Sequence, residues 1–247
     1  MSLLDHIDID HLKVSCKNCS LRELCFTQGM NEEDMNSMDA VVEQTKPLHK
    51  SDFLYREGDR ATAIYAVRSG CVKTVTESAN GDEQIVGFHL SGELLGLDGF
   101  ADGVHTCNAL ALETSSVCEM PLDQLENLCK LMPSLQRQMR RIMGKEVSAE
   151  HKQLLLLGKM SSEERLASFL LGLSARMHER NWKADEFNLS MPRQDIANYL
   201  GMAVETVSRL FASFQNEKVI AVDRRHITIL NMDRLKSIVG DCVASSD

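Results

Sequence analysis

The 247-residue chain contains no apolar run approaching the ~20 residues needed to cross a bilayer as a helix. Nor does it carry an excess of positive charge: 27 Lys and Arg stand against 36 Asp and Glu, a net charge of −9. The first absence argues against a helical membrane protein or a membrane partner. The second argues against a chain that grips nucleic acid without discrimination. It leaves room for one DNA-reading face on a small domain, because steering depends on where charge sits. No fixed-period repeat or low-complexity tract is visible. There is no dinucleotide fingerprint and no P-loop, and the eight histidines show no zincin spacing. Nothing in the residues calls for an enzyme.

The opening stretch MSLLDHIDIDHLK is acidic and lacks the basic start and apolar core of a secretory signal. A reducing cytoplasm is the expected compartment, where stable disulfides are rare. What the chain does have is 43% apolar content, enough for a core and for two domains or one large one. It also has eight cysteines, which in that setting are buried thiols, metal ligands or redox groups.

Three of those cysteines fall within CKNCSLRELC, residues 16–25. Cys16, Cys19 and Cys25 have C-x2-C-x5-C spacing, which lets one loop wrap thiolates around an inorganic centre. A fourth ligand must come from Cys71, Cys107, Cys118, Cys129 or Cys242. Spacing alone leaves zinc and iron–sulfur open, since four cysteines suit either.

Past residue 30 the pattern becomes periodic. Asn31 before Glu32, Glu33 and Asp34 reads as an N-cap with an acidic first turn. Met35, Met38, Val41 and Val42 share one face of that helix. From Pro47 to Pro121 the reading is strands: 63–68 and 71–76 around a Ser69-Gly70 hairpin signal, then 83–90 after Asn80-Gly81, 93–96, 106–112 and 116–121. Short strands punctuated by glycine turns predict a sandwich, barrel or jelly roll. A helix begins near Asp123, and Pro133 opens a long one reaching about Met160. On it Met143, Val147, Glu150, Leu154 and Leu157 recur at heptad spacing, the pattern of a helix paired with its own copy. The same spacing suits a helix packed on its own domain. Ser161 and Glu164 form a capping box that marks a fresh helix, carrying Leu166, Phe169, Leu170 and Leu173, and a domain boundary.

MPRQDIANYLGMAVETVSRLFASFQNEKVI, residues 191–220, reads as two helices around Gly201. Ile196, Ala197 and Leu200 point inward from the first, and Val204, Val207, Leu210, Phe211 and Phe214 from the second. Two strands, 219–222 and 226–230, make a wing around Asp223-Arg224-Arg225. A helix-turn-helix reads the major groove with the start of its second helix. Glu205 and Arg209 share a face: a carboxylate accepts from cytosine N4, and arginine bonds guanine O6 and N7. Thr206 and Ser208 serve phosphates or base edges. A plain Glu205–Arg209 surface pair is the other reading. Ala203 is a poor N-cap for this helix.

A stranded sensor, a long dimer helix and a winged helix-turn-helix together resemble the CRP/FNR family of bacterial regulators, over essentially the whole chain. VETVSR at 204–209 and GDEQIVGFHLSGELLG at 81–96 are similar to the FNR branch. The resemblance implies an α+β chain in four parts. Residues 1–30 would be an iron–sulfur segment, and 31–131 a double-stranded β-helix, or jelly-roll, sensor. Residues 132–160 would be the dimerisation helix, and 161–247 a winged helix-turn-helix. It implies that LETSSVCEM supplies the fourth ligand, so that Cys16, Cys19, Cys25 and Cys118 hold one [4Fe–4S] cluster per subunit. Cys71, Cys107, Cys129 and Cys242 are then spare thiols. It implies that Glu205, Ser208 and Arg209 read TTGAT-type half-sites of a palindrome as a homodimer. RNA polymerase is an implied partner, through exposed sensor loops such as 80–82. The cyclic-nucleotide branch also has a Gly-Glu stretch, present here as Gly92-Glu93, but ADGVHTCNALA lacks the arginine that would meet a cyclic phosphate.

The family uses its cluster to sense oxygen: conversion to [2Fe–2S] loosens the dimer and lowers DNA binding. On the seam Met143–Val147–Glu150–Leu154, each Glu150 would approach its own copy, a like-charge contact that weakens the dimer. The other reading places Glu150 in solvent. Ser20 and Leu24, next to ligands, are the expected tuners of oxygen access.

Overall fold

The computed structural model describes residues 15–240, so Cys242 lies outside the described residues. Asn31 opens helix α1 (Glu32–Val41) by accepting from the Asp34 amide at 2.8 Å, as the acidic first turn predicts. Its Met35 and Met38 are buried.

Eight short strands follow: β1 (Glu43–Gln44), β2 (Phe53–Tyr55), β3 (Ala63–Ser69), β4 (Cys71–Glu77), β5 (Glu83–Leu90), β6 (Leu94–Leu95), β7 (Asn108–Ala111) and β8 (Ser116–Pro121). They form two four-stranded sheets, ordered β1-β8-β3-β6 and β2-β7-β4-β5. Alternation along β3 sorts its side chains between two cores. Ala63, Tyr65 and Val67 join Tyr55, Val72, Ala109 and Val117 in the core shared by the two sheets. Ile64 and Ala66 face the other way, onto a second core with Met120 and the helices.

The Ser69-Gly70 signal does not make the expected hairpin. β3 and β4 lie in different sheets, and Gly70 is the corner between them. Its φ of +85° suits glycine, and a Cβ there would sit 2.3 Å from Ser115 Oγ. Ser115 Oγ instead accepts from the Cys71 amide at 3.2 Å, holding the corner closed. The expected strands 93–96 and 106–112 shorten to β6 and β7.

Helices α2 (Leu122–Leu131) and α3 (Pro133–Lys159) come next. Leu125 of α2 and Leu135 and Met139 of α3 complete the second core with Cys16, Phe26 and Met30. The cysteine segment is thus built into the packing of the two-sheet unit. Among the described residues, one compact unit comprises 15–77 together with Phe88–Met143. The other comprises Ser78–Gly87 with residues 144–240.

In the second unit α4 (Ser162–Glu179) starts at the expected capping box. Ser161 Oγ accepts from the Glu164 amide at 3.3 Å, and Glu164 Oε2 accepts from the Ser161 amide at 2.6 Å. Strand β9 (Glu186–Asn188) was not legible as a strand. It pairs with the wing, giving a sheet ordered β10-β11-β9 with β10 (Ile220–Asp223) and β11 (His226–Ile229). Between β9 and β10 lie α5 (Arg193–Tyr199) and α6 (Val204–Asn216), and α7 (Met232–Val239) closes the unit. Among the described residues no helix is long and apolar enough to cross a membrane.

Candidate functional site

Residues 16–30 fold as a chain of tight turns, each closed by a backbone bond: Cys19 N–H to Cys16 O at 3.3 Å, Arg22 to Cys19 at 3.2 Å, Cys25 to Leu21 at 3.0 Å, Gln28 to Cys25 at 3.1 Å. Asp39 on α1 anchors the start, accepting from the Cys16 amide and, at 2.9 Å, from Ser15 Oγ. Phe26, almost fully buried, anchors the middle. Gln28 anchors the end, with Oε1 accepting from Arg141 at 2.7 Å and Gln138 at 3.4 Å on α3.

This arrangement brings Cys16, Cys19 and Cys25 to the outer face of β8. There Cys118 pairs in register with Ala66 of β3 and Gln44 of β1. The four cysteines line one cavity of about 30 Å³. Leu21, Phe26, Val42, Ala66 and Gly92 complete an apolar wall, with Arg22 and Arg68 as its cations. All described cysteines are free thiols. Cys71 and Cys107 are buried elsewhere and Cys129 packs on the second core, none of them in this cavity.

Electrostatics ties the four together. Burial pushes the Cys16 thiol up to about 12, with Asp39, Cys118 and Cys19 adding repulsion. Burial raises Cys25 further, against the pull of the Phe26 amide, and Cys118, Cys16 and Cys19 add to it. Burial raises Cys118 as well, while Arg68 draws it down and Cys19 pushes it up. A cationic centre would relieve this shared repulsion, since thiolates next to positive charge are stabilised. The donor set therefore fits a thiolate-ligated group. Among the described residues no three His, Cys, Asp or Glu side chains form a ready-made site for a metal ion.

Ser20 is exposed, and Leu24 packs on Gly92; neither lines the cavity, where Leu21 and Arg22 stand instead. That Leu21 and Arg22 line the cavity was not readable from the ligand spacing. Gly92, with φ +90°, is where the segment seats: a Cβ there would lie 2.8 Å from Leu24 Cβ. Glu93 Oε2 accepts from the Leu90 amide at 2.9 Å, which occupies the Gly-Glu stretch locally.

The seam residues lie along one helix, α3, and all are open to solvent. Met143 is 39%, Val147 51% and Leu154 69% exposed, values far from those of a core. Glu150 is exposed between them. Leu157, the last heptad residue, packs instead against Gly201 of its own chain.

In the second unit Val207, Phe211 and Phe214 bury the inner face of α6. The Arg193 guanidinium covers the Phe211 ring at 3.4 Å. Glu205, Ser208, Arg209 and Ala212 are exposed and Thr206 is half-buried. Arg209 donates to Thr206 Oγ1 at 3.3 Å, and among the described residues it makes no ion pair with Glu205. Val204, expected inward, is exposed at the first turn. Ala203 gives no side-chain cap, so the leading amides of α6 have no side-chain acceptor from the N-cap. The wing turn holds Arg224 at φ +56°, a conformation usually left to glycine or asparagine.

Residues 164–238 match the model of the Crp-like helix-turn-helix domain, and residues 45–131 that of the cyclic nucleotide-binding domain. The chain is 46% identical to the transcriptional activator protein Anr of Pseudomonas protegens, over 94% of this chain and 96% of that protein. It is 44% identical to the fumarate and nitrate reduction regulatory protein of Escherichia coli K12, over 92% of this chain and 91% of that one. Among solved structures, FixK2 from Bradyrhizobium japonicum superposes with a TM-score of 0.74 at 29% identity, covering 80% of this chain and 97% of that one.

Proposed function

The chain belongs to the CRP/FNR family of DNA-binding transcription regulators, in its FNR-type branch, and from that premise we propose that it switches DNA binding in response to oxygen. It is a regulator and not an enzyme. Cys16, Cys19, Cys25 and Cys118 hold one [4Fe–4S] cluster per subunit. When bound, that cluster would supply a thiolate-ligated, oxidisable iron centre. The observation that carries the reading is the single cavity shared by those four thiols, three from the turns and one from β8.

The chain's own residues give the signal a route. Ligation at Cys16, Cys19 and Cys25 would fix the turns that end at Gln28, and Gln28 is bonded to Gln138 and Arg141 on α3. The same helix carries Met143, Val147 and Leu154, apolar and exposed in the single chain. A second copy of α3 would cover them. Glu150 would then meet its own copy, a like-charge contact that keeps the cluster-free dimer weak. A gain of ~1.4 kcal/mol on cluster binding would shift the dimer constant tenfold. The paired α6 helices then read a TTGAT-type palindrome through Glu205, Thr206, Ser208 and Arg209, with arginine on guanine and carboxylate on cytosine. The cytoplasm is the compartment this role requires, and RNA polymerase is the partner a bound regulator would meet, with exposed loops such as 80–82 as contacts.

Protein purified without air tests the reading. It is expected to be coloured, dimeric and bound to the palindrome, and to lose all three on exposure to air. Colourless protein carrying one zinc per chain, with DNA binding indifferent to air, would overturn it.

A further inference from the structure

β5 is an edge strand, the last in the order β2-β7-β4-β5. Edge strands leave outward backbone groups without a ladder partner. On β5 two such groups, the Glu83 carbonyl and the Ile85 amide, are both met by one side chain. Asn198 Nδ2 donates to Glu83 O at 2.7 Å, and Asn198 Oδ1 accepts from Ile85 N at 2.6 Å. The carboxamide thus offers one donor and one acceptor, the pairing a neighbouring strand residue would give. Gln84 Nε2 returns the contact by donating to the Asn198 carbonyl at 2.9 Å.

Asn198 also belongs to the turn that aims α6. Its carbonyl accepts from the Gly201 amide at 3.0 Å, and Gly201, at φ +60°, is the pivot between α5 and α6. The next carbonyls are held as well. Tyr199 O accepts from Gln153 Nε2 at 3.0 Å, and Leu200 O from Arg165 Nη1 at 3.0 Å. Gln84, Gln153 and Arg165 thus fix three successive carbonyls at the end of α5, from β5, α3 and α4. The segment Ser78–Gly87 falls in the same compact unit as the helix-turn-helix.

We propose that Asn198 is a positioning residue that clasps the edge of β5 and so fixes the aim of the reading helix. It acts through Gly201 and α6 and touches no base itself. The proposal rests on the DNA-reading role of α6. The chemistry demands a carboxamide: alanine removes both bonds, and aspartate keeps the acceptor for Ile85 but turns a second oxygen toward the Glu83 carbonyl.

The test uses full-length, cluster-loaded protein, a duplex carrying the palindrome, and amide hydrogen exchange at Ile85. Asn198→Ala is expected to speed Ile85 exchange and weaken duplex binding about tenfold, a loss of ~1.4 kcal/mol. Iron content and thermal midpoint should stay at the parent's values. Gln84→Ala, which removes the β5 side-chain bond to the Asn198 carbonyl, should weaken binding in the same direction by less. The double variant should be no weaker than Asn198→Ala alone, because the two share one clasp. Asn198→Asp should resemble Asn198→Ala. Faster exchange with unchanged DNA affinity would overturn the positioning role, and unchanged exchange would overturn the clasp. A parent protein that binds no duplex would overturn the DNA-reading role along with this one, a result distinct from either.

Discussion

Cys118 and Ala66 face each other across β8 and β3, on the side of the sheet turned away from the inter-sheet core. Their neighbours Val117 and Val67 pair on the opposite face. A slip of one residue would exchange the two faces and send the thiol into the core. Strand parity is therefore what makes a strand cysteine available to a loop far earlier in the chain.

Cys118→Ser is expected to abolish iron retention and the visible absorption of anaerobic protein. Cys129→Ser, half-buried on the same core but outside the cavity, should leave both unchanged. Iron analysis of the two purified without air decides it. Equal iron in both would remove Cys118 from the ligand set.

Gly92→Ala should destabilise the two-sheet unit. The residue holds φ +90°, and the new methyl would lie 2.8 Å from Leu24 Cβ, closer than real contacts allow. The backbone conformation alone costs a non-glycine residue about 1–2 kcal/mol, and the overlap adds to it. Urea unfolding should read the loss. Adding Leu24→Gly should recover the overlap part and leave the backbone part.

Glu150→Ala, by removing the like-charge contact proposed for the paired α3 helices, should raise the dimer fraction of cluster-free protein. Sedimentation without iron measures it directly. A variant as monomeric as the parent would show that Glu150 is not what holds the copies apart.

Arg209→Ala should weaken binding to the palindrome by about 1–3 kcal/mol and relax the preference at one guanine. Binding to a set of singly substituted duplexes tests both effects. A uniform loss over all duplexes would assign Arg209 to phosphate instead of to a base.

The capping box has a pH signature. The Ser161 amide and hydroxyl group hold the Glu164 carboxyl below its ordinary value. A depressed carboxyl stabilises the fold above the unfolded value, and that contribution fades as pH falls through the folded one. The stability difference between the parent and Glu164→Ala should therefore be full near neutrality and shrink in acid. Ser161→Ala should cost about 1 kcal/mol by loss of the cap itself. Thermal melts between neutral and acidic pH would show the convergence.

Local chemistry made much of this protein legible. Asn31, the Ser161–Glu164 box, Pro133 and Gly201 each act on backbone within a turn of themselves, so their effects could be read from the chain. The outward face of α6 was legible for the same reason, since a 3.6-residue period sorts Glu205, Ser208 and Arg209 from Val207, Phe211 and Phe214. Val204 escaped the rule because the first turn of a helix projects beyond the surface its later turns bury.

Long-range contacts were not legible. Ser69-Gly70 has the form of a hairpin, and only Ser115, packed against it, makes it a corner between sheets. Leu24, beside Cys25, packs on Gly92 of the cavity wall, a meeting across the chain that the ligand spacing does not announce. The clasp of Asn198 on β5 joins residues with no shared pattern. The sequence by itself determined which residues could ligate, cap, turn or read bases, because those properties reside in one residue and its near neighbours. Tertiary structure alone decided which of them meet, because register, strand parity and packing are set by the whole fold.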